Sequence, residues 1–478
     1  MLPPREELLR DRLLGGEKIT VHAVIQSQTV EYDLEVPTCY IEGSDPSAGE
    51  VILSAHLFEG YVKQGANDNI SGSAAIMEVA RALQTLVDQG RIPRPARSIR
   101  FIWVPEYSGT IPWVADHREI ISGTLCNINL DMVGLNLSEN GSFLTLQRTT
   151  YGNPHYVNDV MENYFEYVGI TNREGLAVSG RGGFTKRIVA PSGSDDPFYF
   201  QVDDHYGSSD HEVFNDPSVG VPGIMMITWP DLYYHTSQDR ADKCDPTEMK
   251  RASIIAAAGA YTIASADKYM GMTIASEVVS NGSSRIGNQL ARATNLVEGS
   301  DKGNFDQNYN LGRDYIMAAT LNEKSTLRSI TELDRSLGDF IDAEISLIDN
   351  IGSAALASLD LYMKSTAHRL GVKPAAARSG DLVKKAGTVY PVKTTVVEEE
   401  GYGINRTVSE SIREYRDKYP VKGRADVAEI IRLCNGSNNV NQIKALIDTQ
   451  RMAGESDLES VYNIVMILSK TGLVELKK

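Results

Sequence analysis

Ser54-Ala55-His56-Leu57-Phe58-Glu59 and the nearby Gly65-Ala66-Asn67-Asp68-Asn69-Ile70-Ser71-Gly72 decide how this 478-residue chain folds. Just ahead of them, Glu50-Val51-Ile52-Leu53-Ser54-Ala55 is an apolar run with little polar alternation. Such a run reads as a strand buried on both faces of a mainly parallel sheet, so His56 falls where that strand ends. Gly65 and Gly72 bracket a turn holding Asp68, one turn ahead of a helix with Ile76, Ala80, Leu83 and Val87 on one stripe. A histidine at a strand end and an aspartate in the next tight loop can reach a common point, and imidazole plus carboxylate is what a zinc site needs. The bland alternative is a capping aspartate beside a surface histidine.

Three later stretches repeat the arrangement. Ile99-Arg100-Phe101-Ile102-Trp103-Val104 delivers Pro105-Glu106-Tyr107, and Asn127-Ile128-Asn129-Leu130 ends at Asp131-Met132-Val133-Gly134. Gly223-Ile224-Met225-Met226-Ile227-Thr228 runs into Tyr233-Tyr234-His235-Thr236-Ser237-Gln238-Asp239. Each ionisable residue stands at or beyond the carboxyl end of an apolar strand, the edge where open α/β sheets bind ligands. A single polar strand end is an ordinary loop residue; four in chain order are hard to obtain by chance.

Composition narrows the function classes. The chain is long enough for two or three domains, and 42% hydrophobic with 23% charged residues is an ordinary globular composition. A net charge of -16 argues against non-specific nucleic-acid binding and against docking to an anionic membrane face. No run of eighteen apolar residues exists, and the start lacks the apolar core of a secretory signal. Cys39, Cys126, Cys244 and Cys434 lie far apart without CxxC spacing, so they read as free or buried thiols suited to a reducing cytoplasm.

The expected architecture is α/β: a mixed, mainly parallel sheet sandwiched by helices, then an α-helical region and a small winged-helix-like module. Residues 1–270 form the first unit, opening with a short helix over 6–14 and a hairpin from 18–28 and 29–36. Its main helices are expected over 73–89, 154–169 and 246–266, with a long loop near the site over 178–208. Residues 271–372 show helical spacing only. The stripe Leu327, Ile330, Leu333, Leu337, Ile341, Ile345 and Ile348 predicts one long amphipathic helix, packed on the first unit or on a second copy of the chain. Residues 373–423 read as a connector with one strand over 389–397, and 424–478 as three helices and a terminal strand. That last module has seven Lys/Arg against seven Asp/Glu, counted along the sequence, so it is poorly equipped to read DNA.

Taken together, His56, the Gly65–Gly72 stretch, Glu106, Asn129-Leu130-Asp131-Met132-Val133-Gly134 and Tyr234-His235-Thr236 resemble the co-catalytic zinc aminopeptidases of the twenty-eighth metallopeptidase family. Glutamate carboxypeptidases, glutaminyl cyclases and the transferrin receptor belong to the same family. Ser209-Asp210-His211 and Gly220-Val221-Pro222 add to the likeness, which covers about residues 35 to 268. The resemblance implies a zinc-exopeptidase fold and one or two zinc ions. Asp68 would bridge them, His56 and Asp131 would complete one site, and His235 would belong to the other. Glu106 would be the general base, and Asp210 and His211 would touch the site without binding metal. Relatives often carry extra sequence ahead of the first core strand, which leaves an upstream segment open.

Two positions depart from the family's pattern. The family has two successive glutamates where this chain has Glu106-Tyr107. Three readings stay open: Tyr107 ligates as phenolate, Asp210 or Asp196 substitutes, or one metal alone binds firmly. The second departure is Phe58, where the family commonly has an aspartate that fixes the imidazole; Glu59 is the neighbouring substitute. The loop residue Arg181 is a candidate for holding a substrate carboxylate. The expectation is a zinc-dependent aminopeptidase on small peptides. The rival readings are a peptidase-like metal-binding protein with little or no catalysis, and a transcription factor built on the last module.

Overall fold

The computed structural model describes residues 3–57, 63–172, 188–423, 426–451 and 455–477. Seven strands form one sheet: β1 (Thr38–Ile41), β2 (Glu50–His56), β3 (Ser98–Val104), β4 (Thr124–Leu130), β5 (Phe143–Gln147), β6 (Phe200–Asp203) and β7 (Gly223–Trp229). Their spatial order is β1-β3-β2-β4-β7-β5-β6. The β1–β3 and β5–β7 pairs are antiparallel and the other pairs parallel, so the sheet is mixed and mainly parallel, as the apolar runs predict.

Every residue of β2 is buried, because helices cover both faces. One face buries Val51, Leu53, Phe101 and Ile128 against the helices Gly72–Asp88, Val157–Thr171 and Pro246–Ser265. The other buries Ile52, Ile102 and Val104 against Trp113, Val114 and Phe214. These helices lie within a few residues of the spans read from the sequence.

The long helices Lys268–Glu298, Phe305–Ser329 and Gly338–Leu370 continue the first of these cores. Arg97, at the entry to β3, donates to the carbonyls of Ala266 and Leu333 at 2.8 Å each, binding the sheet to this helical region. Arg285 is a second tie. Its guanidinium reaches Asp159 at 2.9 Å and also pairs with Glu162 and Glu323; the Asp159 and Glu323 side chains are almost wholly buried. Arg285→Met therefore strands two buried carboxylates and is expected to cost about 3–5 kcal/mol, read by urea unfolding. A loss below about 1 kcal/mol would mean that solvent reaches the cluster.

Four expectations change. Residues 17–37 form neither strand nor helix, and Val24 and Ile25 stand 74% and 84% exposed. The predicted hairpin lacks a sheet to pack on, and two strands alone are marginal in water. The apolar stripe is not one helix: Leu327 lies in Phe305–Ser329, short turns span Ile330–Glu332 and Arg335–Leu337, and the next helix starts at Gly338. All seven stripe residues are buried within the chain, so the stripe does not supply a self-association face. The predicted 178–208 loop contains the strand β6, and its first part, 178–187 with Arg181, lies outside the described residues.

The stretch read as a connector carries the helices Asp381–Gly387, Val396–Glu400 and Asn405–Tyr415 and the strand β8 (Tyr390–Lys393). That strand pairs antiparallel with β9 (Val474–Lys477) at the end of the chain. Ala386, Val397 and Val408 share a core with Ile430, Val440, Ile464 and Val474, so the last packed unit draws on residues well ahead of 424. Three helices, Val427–Leu433, Val440–Arg451 and Leu458–Lys470, complete it. Among the described residues no helix is long and apolar enough to cross a membrane. All four cysteines are free.

Candidate metal centre

Strand register brings the predicted residues to one edge. Ala55 pairs with Trp103 and His56 with Val104, Ser54 pairs with Asn129, and Leu130 pairs with Met226. The carboxyl ends of β2, β3, β4 and β7 therefore lie side by side, and His56, Glu106, Asp131 and His235 follow from them.

The Asn67–Ser71 stretch is stapled to the loop after β4, which explains its density of short polar side chains. Asn69 accepts from Met132 N through Oδ1 at 3.0 Å and donates to Leu130 O at 2.9 Å. Ser71 Oγ accepts from Val133 N at 2.9 Å, and Asn67 Oδ1 accepts from Gly134 N at 3.0 Å. From the other side Asp239 accepts the backbone N–H groups of Asn67 and Asp68 at 2.7 and 3.0 Å. Asp68 is thus fixed by its neighbours' side chains and by its own backbone. Tyr107 (φ 51°), Met132 (φ 60°) and His235 (φ 56°) all take the left-handed conformation. That backbone is costly for residues with a Cβ, and here it clusters around one cleft.

Asp68 presents two faces. Its Oδ1 lies 3.2 Å from His56 Nε2, and Asp131 Oδ1 lies 3.3 Å from the same nitrogen. Its Oδ2 lies 3.3 Å from His235 Nε2 and 2.8 Å from Lys63 Nζ. His56, Asp68 and Asp131 are buried, whereas the His235 side chain is 49% exposed. Among the described residues, His56, Glu106 and Asp131 form a group whose donor atoms lie within 4.8 Å of one another, close enough to share a cation. Burial alone would lower the pKa of His56, but Asp131, Asp68 and Glu106 outweigh it and push it up to about 12. Three carboxyl groups around one imidazole thus hold it in its positively charged form.

Tyr107 does not turn its oxygen to this cluster as a ligand would. Its hydroxyl donates to Glu212 at 2.9 Å, and burial together with that carboxylate pushes the phenol well above its usual range. Asp210 holds the turn beneath: its Oδ1 accepts from Tyr107 N at 2.9 Å and from Thr110 Oγ1 at 2.5 Å. His211 is fully buried, with Nε2 against Gln147 Oε1 at 2.5 Å, and burial keeps it neutral. Asp196, the other acid considered for the second site, has its carbonyl on Arg251 and does not line the cleft. Phe58 and Glu59 lie outside the described residues.

The cleft has a volume of ≈ 560 Å³, and its walls add Met132, Asp203, Tyr206, Trp229 and Tyr234 to the predicted set. None of these has a periodic signal in sequence; Asp203 and Tyr206 come from the stretch read as featureless loop. Lys63 was also missed. Its side chain is only 6% exposed, with Nζ above the Tyr234 ring.

Asp210 carries a prediction. Burial raises its pKa to about 6, although its two hydrogen bonds pull the other way. A carboxyl raised on folding stabilises the protein below its unfolded pKa, and that contribution is lost as pH rises through the folded value. Asp210→Asn mimics the neutral acid and removes the loss. In chelator, its stability relative to the parent chain should rise by about 2 kcal/mol between pH 4 and pH 8. Equal pH profiles for the two proteins would show that Asp210 is ionised throughout.

Sheet, edge and the His56–Glu106–Asp131 cluster together define a candidate metal centre on an α/β sheet, and known proteins resemble it. The model of Peptidase family M28 matches residues 39–260, a little under half of the chain. Among curated proteins none matches the chain. Similar solved structures include the zinc aminopeptidase BSAP from Bacillus subtilis, 21% identical over 47% of this chain and 48% of that one, TM-score 0.36. The aminopeptidase from Aneurinibacillus sp. strain AM-1 is 22% identical over 47% of each chain, TM-score 0.34. A glutaminyl cyclase from Bacteroides thetaiotaomicron bound to N-acetylhistamine is 17% identical over 48% of this chain and 84% of that one, TM-score 0.31. The match spans about half the length of the first two of these chains.

Proposed function

We propose that the chain hydrolyses peptide bonds with a bound zinc ion, as an aminopeptidase acting on small peptides. The observation that carries this reading is the convergence of Asp68 and Asp131 on His56 Nε2 at 3.2 and 3.3 Å. Tetrahedral zinc with bonds of about 2.0–2.1 Å sets neighbouring donor atoms about 3.3 Å apart, so these residues fit the ion. His56, Asp68 and Asp131 would hold it, and the family match at residues 39–260 supports peptide hydrolysis as the chemistry. When bound there, zinc supplies Lewis-acid polarisation of a carbonyl and a lowered pKa for water.

The remaining work falls to the chain. Glu106, half-buried beside His56 and Asp131, takes a proton from the attacking water. The same carboxyl then gives that proton to the leaving amine nitrogen. Asp210 keeps Glu106 aimed by holding the next peptide N–H, and Asp239 keeps Asp68 aimed in the same way. Trp229 and Tyr234 wall the cleft and limit the room for a substrate side chain.

Zinc-loaded protein should release amine from a panel of aminoacyl amides and dipeptides, and chelation should stop it. The second reading, a metal-binding protein with little catalysis, is favoured by Tyr107, whose hydroxyl is committed to Glu212. A zinc-loaded chain inert on the whole panel would decide for it.

A further inference from the structure

We infer that this centre takes one metal ion, on the His56 face of Asp68, and that Lys63 supplies a tethered positive charge on the other face. The inference rests on the metal-dependent reading above and deepens it. The two faces of Asp68 differ in what they gather. Oδ1 meets an imidazole whose other close neighbours are the Asp131 and Glu106 carboxylates. Oδ2 meets His235 and, at 2.8 Å, the Lys63 ammonium.

Two arguments point the same way. The first is donor count. Zinc is held by at least three protein ligands in nearly all sites. On the Oδ2 face the described residues bring Asp68 and His235, but Tyr107 spends its hydroxyl on Glu212. No group of three His, Cys, Asp or Glu donors forms there among the described residues.

The second argument is charge. The Lys63 side chain is 6% exposed and its ammonium contacts the oxygen that a second ion would need. A second divalent cation on that oxygen would sit against a fixed ammonium in a partly dry site, where like charges repel strongly. Of the four negative charges that Asp68, Glu106, Asp131 and Asp203 bring to the cleft, one divalent ion and the ammonium together offset three.

The test is metal stoichiometry on the full-length chain, loaded with excess zinc, passed through gel filtration and measured by mass spectrometry of the metal. The parent chain should carry one zinc. His235→Ala should still carry one, and His56→Ala should lose it; loss in His235→Ala with retention in His56→Ala would put the ion on the wrong face. Lys63→Met with Tyr107→Glu should carry two, because it removes the ammonium and adds a carboxylate. If that variant folds by circular dichroism and stays at one, Lys63 and Tyr107 are not what excludes the second ion, and the inference falls. If it does not fold, the histidine pair still decides. Two zinc ions in the parent chain overturn the inference while leaving the metal-dependent reading intact; none at all overturns that reading as well.

Discussion

Glu106→Gln should leave zinc content unchanged and lower the hydrolytic rate by about 10²–10⁴-fold, the usual range for losing a general base. The amide keeps the shape of the side chain and can still accept a hydrogen bond, but it cannot hold the proton taken from water. Glu106 follows β3 directly and lies beside His56 and Asp131. Its backbone is anchored through the Asp210–Tyr107 contact, so the substitution should not move its neighbours. The loss should appear in kcat with little change in KM, because the proton transfer belongs to the transition state. A variant that keeps full activity would remove Glu106 from this role; one that loses zinc would make it a ligand.

Adding zinc to chelator-treated protein should raise its melting temperature by roughly 10 °C. At a free metal concentration about 1,000-fold above Kd, binding to the folded state alone is worth about 4 kcal/mol. Each kcal/mol moves the melting point by about 2–4 °C in a domain of 150–250 residues. The structural reason is the cost of the empty arrangement. Asp68 and Asp131 are buried with their oxygens 3.2 and 3.3 Å from one imidazole nitrogen, and without a metal the single charge of protonated His56 must serve both carboxylates. His56→Ala should abolish the shift, since it deletes the nitrogen on which both carboxylates converge. Identical melting curves with and without zinc would mean that the cluster holds no ion, and the peptidase reading would lose its foundation.

Much of the first half of the fold is legible in the sequence. A strand covered on both faces must be apolar at successive positions, and the runs at 50–55, 99–104, 127–130 and 223–228 are β2, β3, β4 and β7. Parallel pairing then sets their carboxyl ends together, so the chemistry at His56, Glu106, Asp131 and His235 could be placed at one edge. The weaker strands were not legible. Phe143–Gln147 mixes apolar residues with Thr145 and Gln147, whose side-chain oxygens meet partners distant in sequence, Gln201 and His211.

The amino-acid order by itself determined which strands are central, where each ends and which ionisable residue follows it, because burial on two faces leaves a local mark. Tertiary structure alone decided the rest. The 17–37 segment alternates like a hairpin yet finds no sheet, and the Leu327–Ile348 stripe is continuous in spacing but divided by two turns in space. β8 pairs with β9 across more than eighty residues of chain, which no local period can encode. Lys63, too, is an unremarkable loop residue until the fold carries its ammonium to Asp68. Periodicity reports what a segment buries; only the assembled chain shows what it is buried against.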